Sequence, residues 1–186
     1  MSVEYARFQF SADQFERMVE TGILSEDDRV ELIDGELITM SPIGSRHVAC
    51  VNALTSLLVL TLQSRAIVSV QNPIRLNATT EPLPDVTVLR PKKSRYRDAL
   101  PTGKDVLLAI EVSDTTAVFD RTTKLPRYAA SGIREAWLVD LQMARVEVYS
   151  KPRAGQYTSL DSFGPGENVT SGTIGGLVLA VDDILP

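Results

Sequence analysis

Asp85, Glu111 and Lys124 are the residues of this sequence best suited to chemistry. Glu111 interrupts the apolar run from Val106 to Val112, and Asp85 follows Pro84 at the head of a second apolar run ending at Leu89. A carboxylate buried unpaired among such neighbours costs on the order of several kcal/mol and tends to neutralise instead. Glu111 therefore calls for a cation, a metal ion or exposure at a strand end. Pairing between the two runs would bring Asp85 and Glu111 together, and carboxylate oxygens on neighbouring strands are the hard ligands that Mg²⁺ or Mn²⁺ prefers. A lysine beside them could orient an attacking water or stabilise charge on a phosphate, which together describes metal-assisted phosphodiester hydrolysis. The same residues also read as turn chemistry after a proline and as a plain Glu–Lys ion pair, and spacing alone does not choose.

The elements that must position these groups follow from pattern. Ser11-Ala12-Asp13-Gln14 is a capping box opening a helix to about Thr21, with Gly22 ending it. Two alternating runs flank Asp34-Gly35, a strong hairpin signal. From about Ser45 to Gln63 no breaker intervenes, and Val48, Val51, Leu54, Leu58 and Leu62 recur at helical spacing, so this is expected to be the longest helix. Strands are expected over 66–71, 74–76 and 85–89. The near-continuous apolar run 106–112 fits a central strand covered on both faces. A helix is expected from about Thr122 to Ala130, irregular in its first part because Pro126 lies inside it. Strands over 136–140 and 145–149 form a hairpin, which Asp140 would close. Residues 158–186 read as loop-rich, with one short strand at 177–181. The fold class is α/β (α+β): a mixed sheet flanked by helices, with an N-terminal hairpin.

Size and composition set the frame. The 186 residues suit a single domain spanning 1–186 with an ordinary core. One cysteine, Cys50, excludes an internal disulfide and a cysteine-based zinc site. The opening residues carry no signal-peptide pattern, and the apolar stretch Leu57–Leu62 is too short to span a bilayer, so a cytoplasmic protein with no membrane partner is expected. Net charge of −5 argues against nucleic-acid binding through a general positive field. It leaves room for a local patch: Arg90, Lys92, Lys93, Arg95 and Arg97 form one, which reads either as a solvated loop or as a nucleic-acid contact.

Asp85, Glu111-Val112-Ser113 and Lys124 together resemble the PD-(D/E)XK nuclease superfamily, and the whole chain resembles its large restriction-endonuclease branch, first catalogued as a domain of unknown function. The resemblance rests on an ordered series: Glu31 to Glu36, Met40-Ser41-Pro42, Gly44 with His47, Pro84-Asp85-Val86, Glu111-Val112-Ser113, Asp120-Arg121 with Lys124, Tyr128-Ala129, Gly132-Ile133 and Glu135 to Asp140. It implies a restriction-endonuclease-like fold. It also implies an endodeoxyribonuclease using Mg²⁺ or Mn²⁺ on nucleic acid, with DNA as the expected substrate, and by analogy a homodimer. Asp85 and Glu111 become the metal carboxylates, with the backbone carbonyl of Val112 as a further ligand. The superfamily's usual lysine position holds Ser113, so its role passes to Lys124 on the following helix.

Glu31 resembles an acid that many members place before the core to hold a metal water; otherwise it is an exposed strand residue. His47, the sole histidine, reads as a cap or surface residue, or as an aid at the substrate phosphate. Asp120 is expected to cap the helix or to pair with Arg121, and Trp137 and Tyr149 to pack in the core. Two competing readings remain open: a non-catalytic nucleic-acid- or protein-binding module that keeps the nuclease fold, and a phosphohydrolase acting on nucleotides.

Overall fold

The computed structural model describes residues 7–25, 27–40 and 42–186. Residues 1–6 of the opening stretch read for a signal peptide, and Ser41 of the Met40–Pro42 motif, lie outside the described residues. Helix α1, Ala12–Glu20, starts on the expected capping box: Gln14 donates its amide to Ser11 Oγ, and Ser11 donates its own to Gln14 Oε1. Strands β1 (Val30–Ile33) and β2 (Glu36–Thr39) form the hairpin, with Asp34 and Gly35 both at positive φ as a tight turn of this kind requires. Gly35 is also needed for space, since a Cβ there would come within 2.6 Å of the Gln9 side chain. Helix α2 spans Ser45–Leu62.

Strands β3 (Ile67–Val70), β4 (Val86–Leu89), β5 (Val106–Ser113), β6 (Glu135–Asp140), β7 (Arg145–Arg153) and β8 (Gln156–Phe163) make one six-stranded sheet in the order β3-β4-β5-β6-β7-β8. Only β5 and β6 are parallel. The crossover between them is helical: a turn α3 (Ala117–Phe119), a widened π-type turn (Asp120–Lys124) and helix α4 (Leu125–Ala130). A ribbon of β9 (Asn168–Thr170) and β10 (Val178–Ala180) and the short helix α5 (Val181–Ile184) close the chain.

The sheet divides two cores. Val86, Val88, Leu108, Ile110, Trp137 and Val139 pack against Cys50, Leu54, Leu58 and Leu62 of α2, with β9, β10 and α5 beside them. On the other face Ala109 and Ala136 leave room for Leu125, Tyr128 and Ile133. By length and composition the segment Ser45–Arg65 is apolar enough to cross a bilayer, which the shorter Leu57–Leu62 stretch does not suggest. Here its Cys50, Val51, Leu54, Leu58 and Leu62 stripe is buried on the sheet.

Four expectations need correction. Ile74–Leu76 is no strand, because Ile74 and Leu76 donate their amides to Pro82 and Thr80 and only Arg75 bridges a neighbour, Thr102. The crossover helix begins at Ala117, not Thr122. Pro126 has no N–H for the Thr122 carbonyl and its ring would crowd that carbonyl, and the widened turn precedes it. Asp120 neither caps that helix nor pairs with Arg121; it is buried and accepts hydrogen bonds from Ser113 Oγ (2.6 Å) and Thr116 Oγ1 (2.8 Å). The region after 158 is loop-rich as expected and holds the expected short strand as β10, but it also carries β9 and the end of β8; β8 is a solvated edge whose alternation is muted by Thr158, Ser159, Asp161 and Ser162.

Candidate functional site

Strand pleating sorts the side chains of β5. Leu108, Ile110 and Val112 point to α2, while Ala109, Glu111 and Ser113 face the crossover helix. Val86 pairs with Ile110, so Asp85, one residue before β4, is level with Glu111. The expected juxtaposition therefore forms at the ends of two central strands.

Each carboxylate is held by identifiable donors. Asp85 Oδ2 accepts the Val112 amide at 2.9 Å, and Oδ1 accepts Gln71 Nε2 at 3.2 Å and lies 3.0 Å from His47 Nε2. Burial alone would push the Asp85 carboxyl up. The hydrogen bond and charge of His47, the Val112 amide and Lys124 outweigh burial and hold it below the usual carboxylate range. Glu111 Oε1 accepts from Lys124 Nζ at 2.9 Å and from the Tyr128 hydroxyl. Burial pushes the Glu111 carboxyl well up; Lys124 opposes the shift, and the charges of Asp120, Asp85 and Glu31 add to it. Burial also acts on Lys124, in the direction of losing its proton, but Glu111, Glu31 and Asp120 reverse this and keep the ammonium charged.

Glu31 is buried, not an exposed strand residue. Its Oε2 accepts the Leu83 amide at 3.1 Å and lies 3.3 Å from Lys124 Nζ. The hairpin is fixed there by the Leu32–Glu81 bridge, which docks β1 on the segment leading to Asp85. His47 stands in the first turn of α2 and reaches across to Asp85, while its buried Nδ1 has no hydrogen-bond partner among the described residues. Cys50, one turn further, is a core thiol pushed up to about 12 by burial and by the Asp85 charge.

Glu31, His47, Asp85, Glu111, Val112 and Lys124 all line one cleft of ≈ 740 Å³. The basic loop does not join them. Lys92, Lys93 and Arg95 border a separate hollow with Gln63, Ser64, Ala66 and Ile67, at the far end of β4 from Asp85, and Arg97 pairs with Asp98. Tyr128 is the group that sequence reasoning did not single out for the site. Its signal was present: it lies four residues after Lys124, one helical turn along the same face. Its hydroxyl is pushed well up, first by burial and then by Glu111, so it stays a donor.

The donor set fits a small hard cation. Among the described residues no three His, Cys, Asp or Glu side chains converge to hold an ion by themselves. Mg²⁺ is commonly held by one or two carboxylates with waters completing the shell, and Asp85 and Glu111 supply that number. Five carboxylates line the cleft (Glu31, Asp85, Glu111, Asp114 and Asp120), against Arg29, Lys124 and the His47 imidazole. Such a cleft carries more acid than base and favours a cation.

A family model described as Uma2, "Putative restriction endonuclease", matches residues 12–182. A crystal structure described as a putative nuclease belonging to DUF820, from Anabaena variabilis ATCC 29413, superposes with a TM-score of 0.72. It covers 94% of this chain and 97% of its own at 18% sequence identity, a likeness of fold. No curated protein matches the chain.

Proposed function

The chain belongs to the Uma2 family, described as putative restriction endonucleases, and on that premise we propose that it is a metal-dependent nuclease acting on DNA. The observation that carries this reading is the meeting of Asp85 and Glu111 at the floor of an acid-rich cleft, with Lys124 Nζ 2.9 Å from Glu111. Asp85 and Glu111 would hold Mg²⁺ or Mn²⁺, with the Val112 carbonyl and waters filling the shell. A divalent ion bound there would neutralise the phosphate and lower the pKa of a water.

The chain's own side chains supply the rest. Tyr128 and Lys124 both donate to Glu111 Oε1, and among the described residues Oε2 accepts no hydrogen bond, so it is free to turn to the cleft. The Val112 amide and Gln71 fix Asp85 through both of its oxygens, Oδ2 and Oδ1. Lys124, kept charged between Glu111 and Glu31, stabilises negative charge developing on the phosphate or orients the attacking water. Glu31 steadies that ammonium. His47, its Nε2 3.0 Å from Asp85 Oδ1, would pass a proton to or from the departing oxygen. A cytoplasmic location and a homodimeric assembly belong to the same proposal.

Incubating oligodeoxynucleotides with the protein in Mg²⁺ or Mn²⁺ tests it. Cleavage is expected, removed by chelation and lowered about 10³-fold or more in Asp85→Asn and Glu111→Gln. Undiminished cleavage in either variant would sink the assignment. Metal binding without cleavage of any nucleic acid would leave the binding-module reading in its place.

A further inference from the structure

The cleft has two unlike halves. Its floor is the charged cluster already described, whereas the rest of its lining is mixed: the apolar Ile38, Met40, Pro42 and Ile43 on the β2 side and Val118 and Phe119 of α3 stand among Arg29, Asp114 and four threonines. Phe119, Met40 and Ile43 are only half-buried, and Val118 is 72% exposed. These side chains stabilise no core; they stand open beside the proposed phosphate site. A phosphodiester needs none of them.

From this juxtaposition we infer that the cleft takes a nucleotide whose base is unstacked, lying on Phe119 among these apolar side chains, so that single strands are cleaved in preference to intact duplex. The inference rests on the nuclease reading above and names its substrate class. In a duplex the base faces are stacked on one another and only backbone and groove edges are presented, so an aromatic wall next to the phosphate would have nothing to contact. In a single strand each base offers a face, and aromatic side chains are the usual platform for it. A volume of ≈ 740 Å³ is also the size of a pocket that encloses a nucleotide-sized group. Asn and Gln are missing from the cleft lining among the described residues, so any choice among bases would fall to Arg29, Asp114 or the threonines, whereas stacking on Phe119 has no base preference of its own.

The test is a cycle between protein and substrate. Cleavage in Mg²⁺ is measured on a single-stranded oligonucleotide, its duplex, and single strands carrying one abasic position at each place around the cut. Each is run with wild type, Phe119→Ala and Phe119→Trp. The single strand is expected to be cleaved at least about tenfold faster than the duplex. One abasic position should raise KM by about 5- to 150-fold in wild type, the size of one base–aromatic stack. Phe119→Ala should raise KM on the intact strand similarly, lose further sensitivity to that abasic position, and be restored by Phe119→Trp. Because the abasic strands probe the unmutated protein, the result does not depend on a variant folding. Equal or faster cleavage of duplex, with additive or absent effects of Phe119→Ala and the abasic sites, overturns the inference and leaves the nuclease standing. A Phe119→Ala variant with unchanged KM that dissociates a dimer in light scattering assigns the wall to a second copy and overturns it too. Failure to cut any nucleic acid ends both.

Discussion

Two buried polar clusters flank the widened turn Asp120–Lys124, and they are built on opposite principles. On one side Arg121 donates to Glu147 Oε2 (2.9 Å) and Oε1 (2.9 Å) and to Asp140 Oδ2 (2.6 Å). Asp140 Oδ1 also accepts the amides of Gln142 and Met143. Every charged group there has partners, and the cluster ties the helix to β6 and β7. On the other side acids outnumber cations, Glu111 has an oxygen without a hydrogen bond among the described residues, and His47 Nδ1 has none. A satisfied cluster holds a fold together; an unsatisfied one, kept in a cleft rather than filled with apolar side chains, has room for a ligand.

Substitutions should separate the two. The largest contrast pairs Glu111→Gln with Arg121→Met. Glu111→Gln is expected to abolish cleavage while leaving the melting temperature level or higher, because it removes one of several crowded acids. Arg121→Met should do the reverse in stability, costing about 2–4 kcal/mol in denaturant unfolding by stranding two buried carboxylates. The 30% exposure of the Arg121 side chain favours the lower end of that range. A Glu111→Gln protein that unfolds more readily than Arg121→Met would erase the distinction.

The two clusters also differ in how acid should act on them. Burial tends to raise Asp140, but the Arg121 hydrogen bond and charge, with the Met143 and Gln142 amides, bring its folded value below the ordinary 3.8. Its stabilisation is thus present above that ordinary value and lost as pH falls through the folded one. The stability gap between wild type and Arg121→Met should therefore narrow as pH drops below about 4. A gap that stays constant from neutral pH to below the carboxylate range would show that Arg121 acts by packing alone.

The smallest effect is expected far from either cluster. Reversing Lys92 and Lys93 to Glu should weaken binding of long oligonucleotides a few-fold at low salt through lost contact with flanking phosphates. It should leave cleavage of short ones unchanged, because this loop lies at the other end of β4.

How much of this was legible beforehand follows from the physics of each residue. Apolar spacing located α2 and β5, and Asp-Gly located the hairpin, because burial and turn geometry are written locally. Asp85 and Glu111 could be paired because strand register follows from two adjacent apolar runs. The role of Arg121 could not, since its partners lie 19 and 26 residues away on strands whose own sequence only suggests a hairpin. Nor could the lock between Ser113 and Asp120, which depends on where Pro126 widens the helix. Ser113, through its hydroxyl on Asp120, braces the turn that carries Lys124. Edge strand β8 stayed hidden because a solvated edge needs little apolar alternation.

Asp85 and Glu111, the proposed metal ligands, can be tested by sight of the ion itself. Crystals soaked in Mn²⁺ and measured for anomalous scattering should show a peak within ligand distance of Asp85 and Glu111, with the Lys124 ammonium a few Å beyond. A saturating soak that leaves these carboxylates bare, or that puts the ion elsewhere in the molecule, would contradict the assignment.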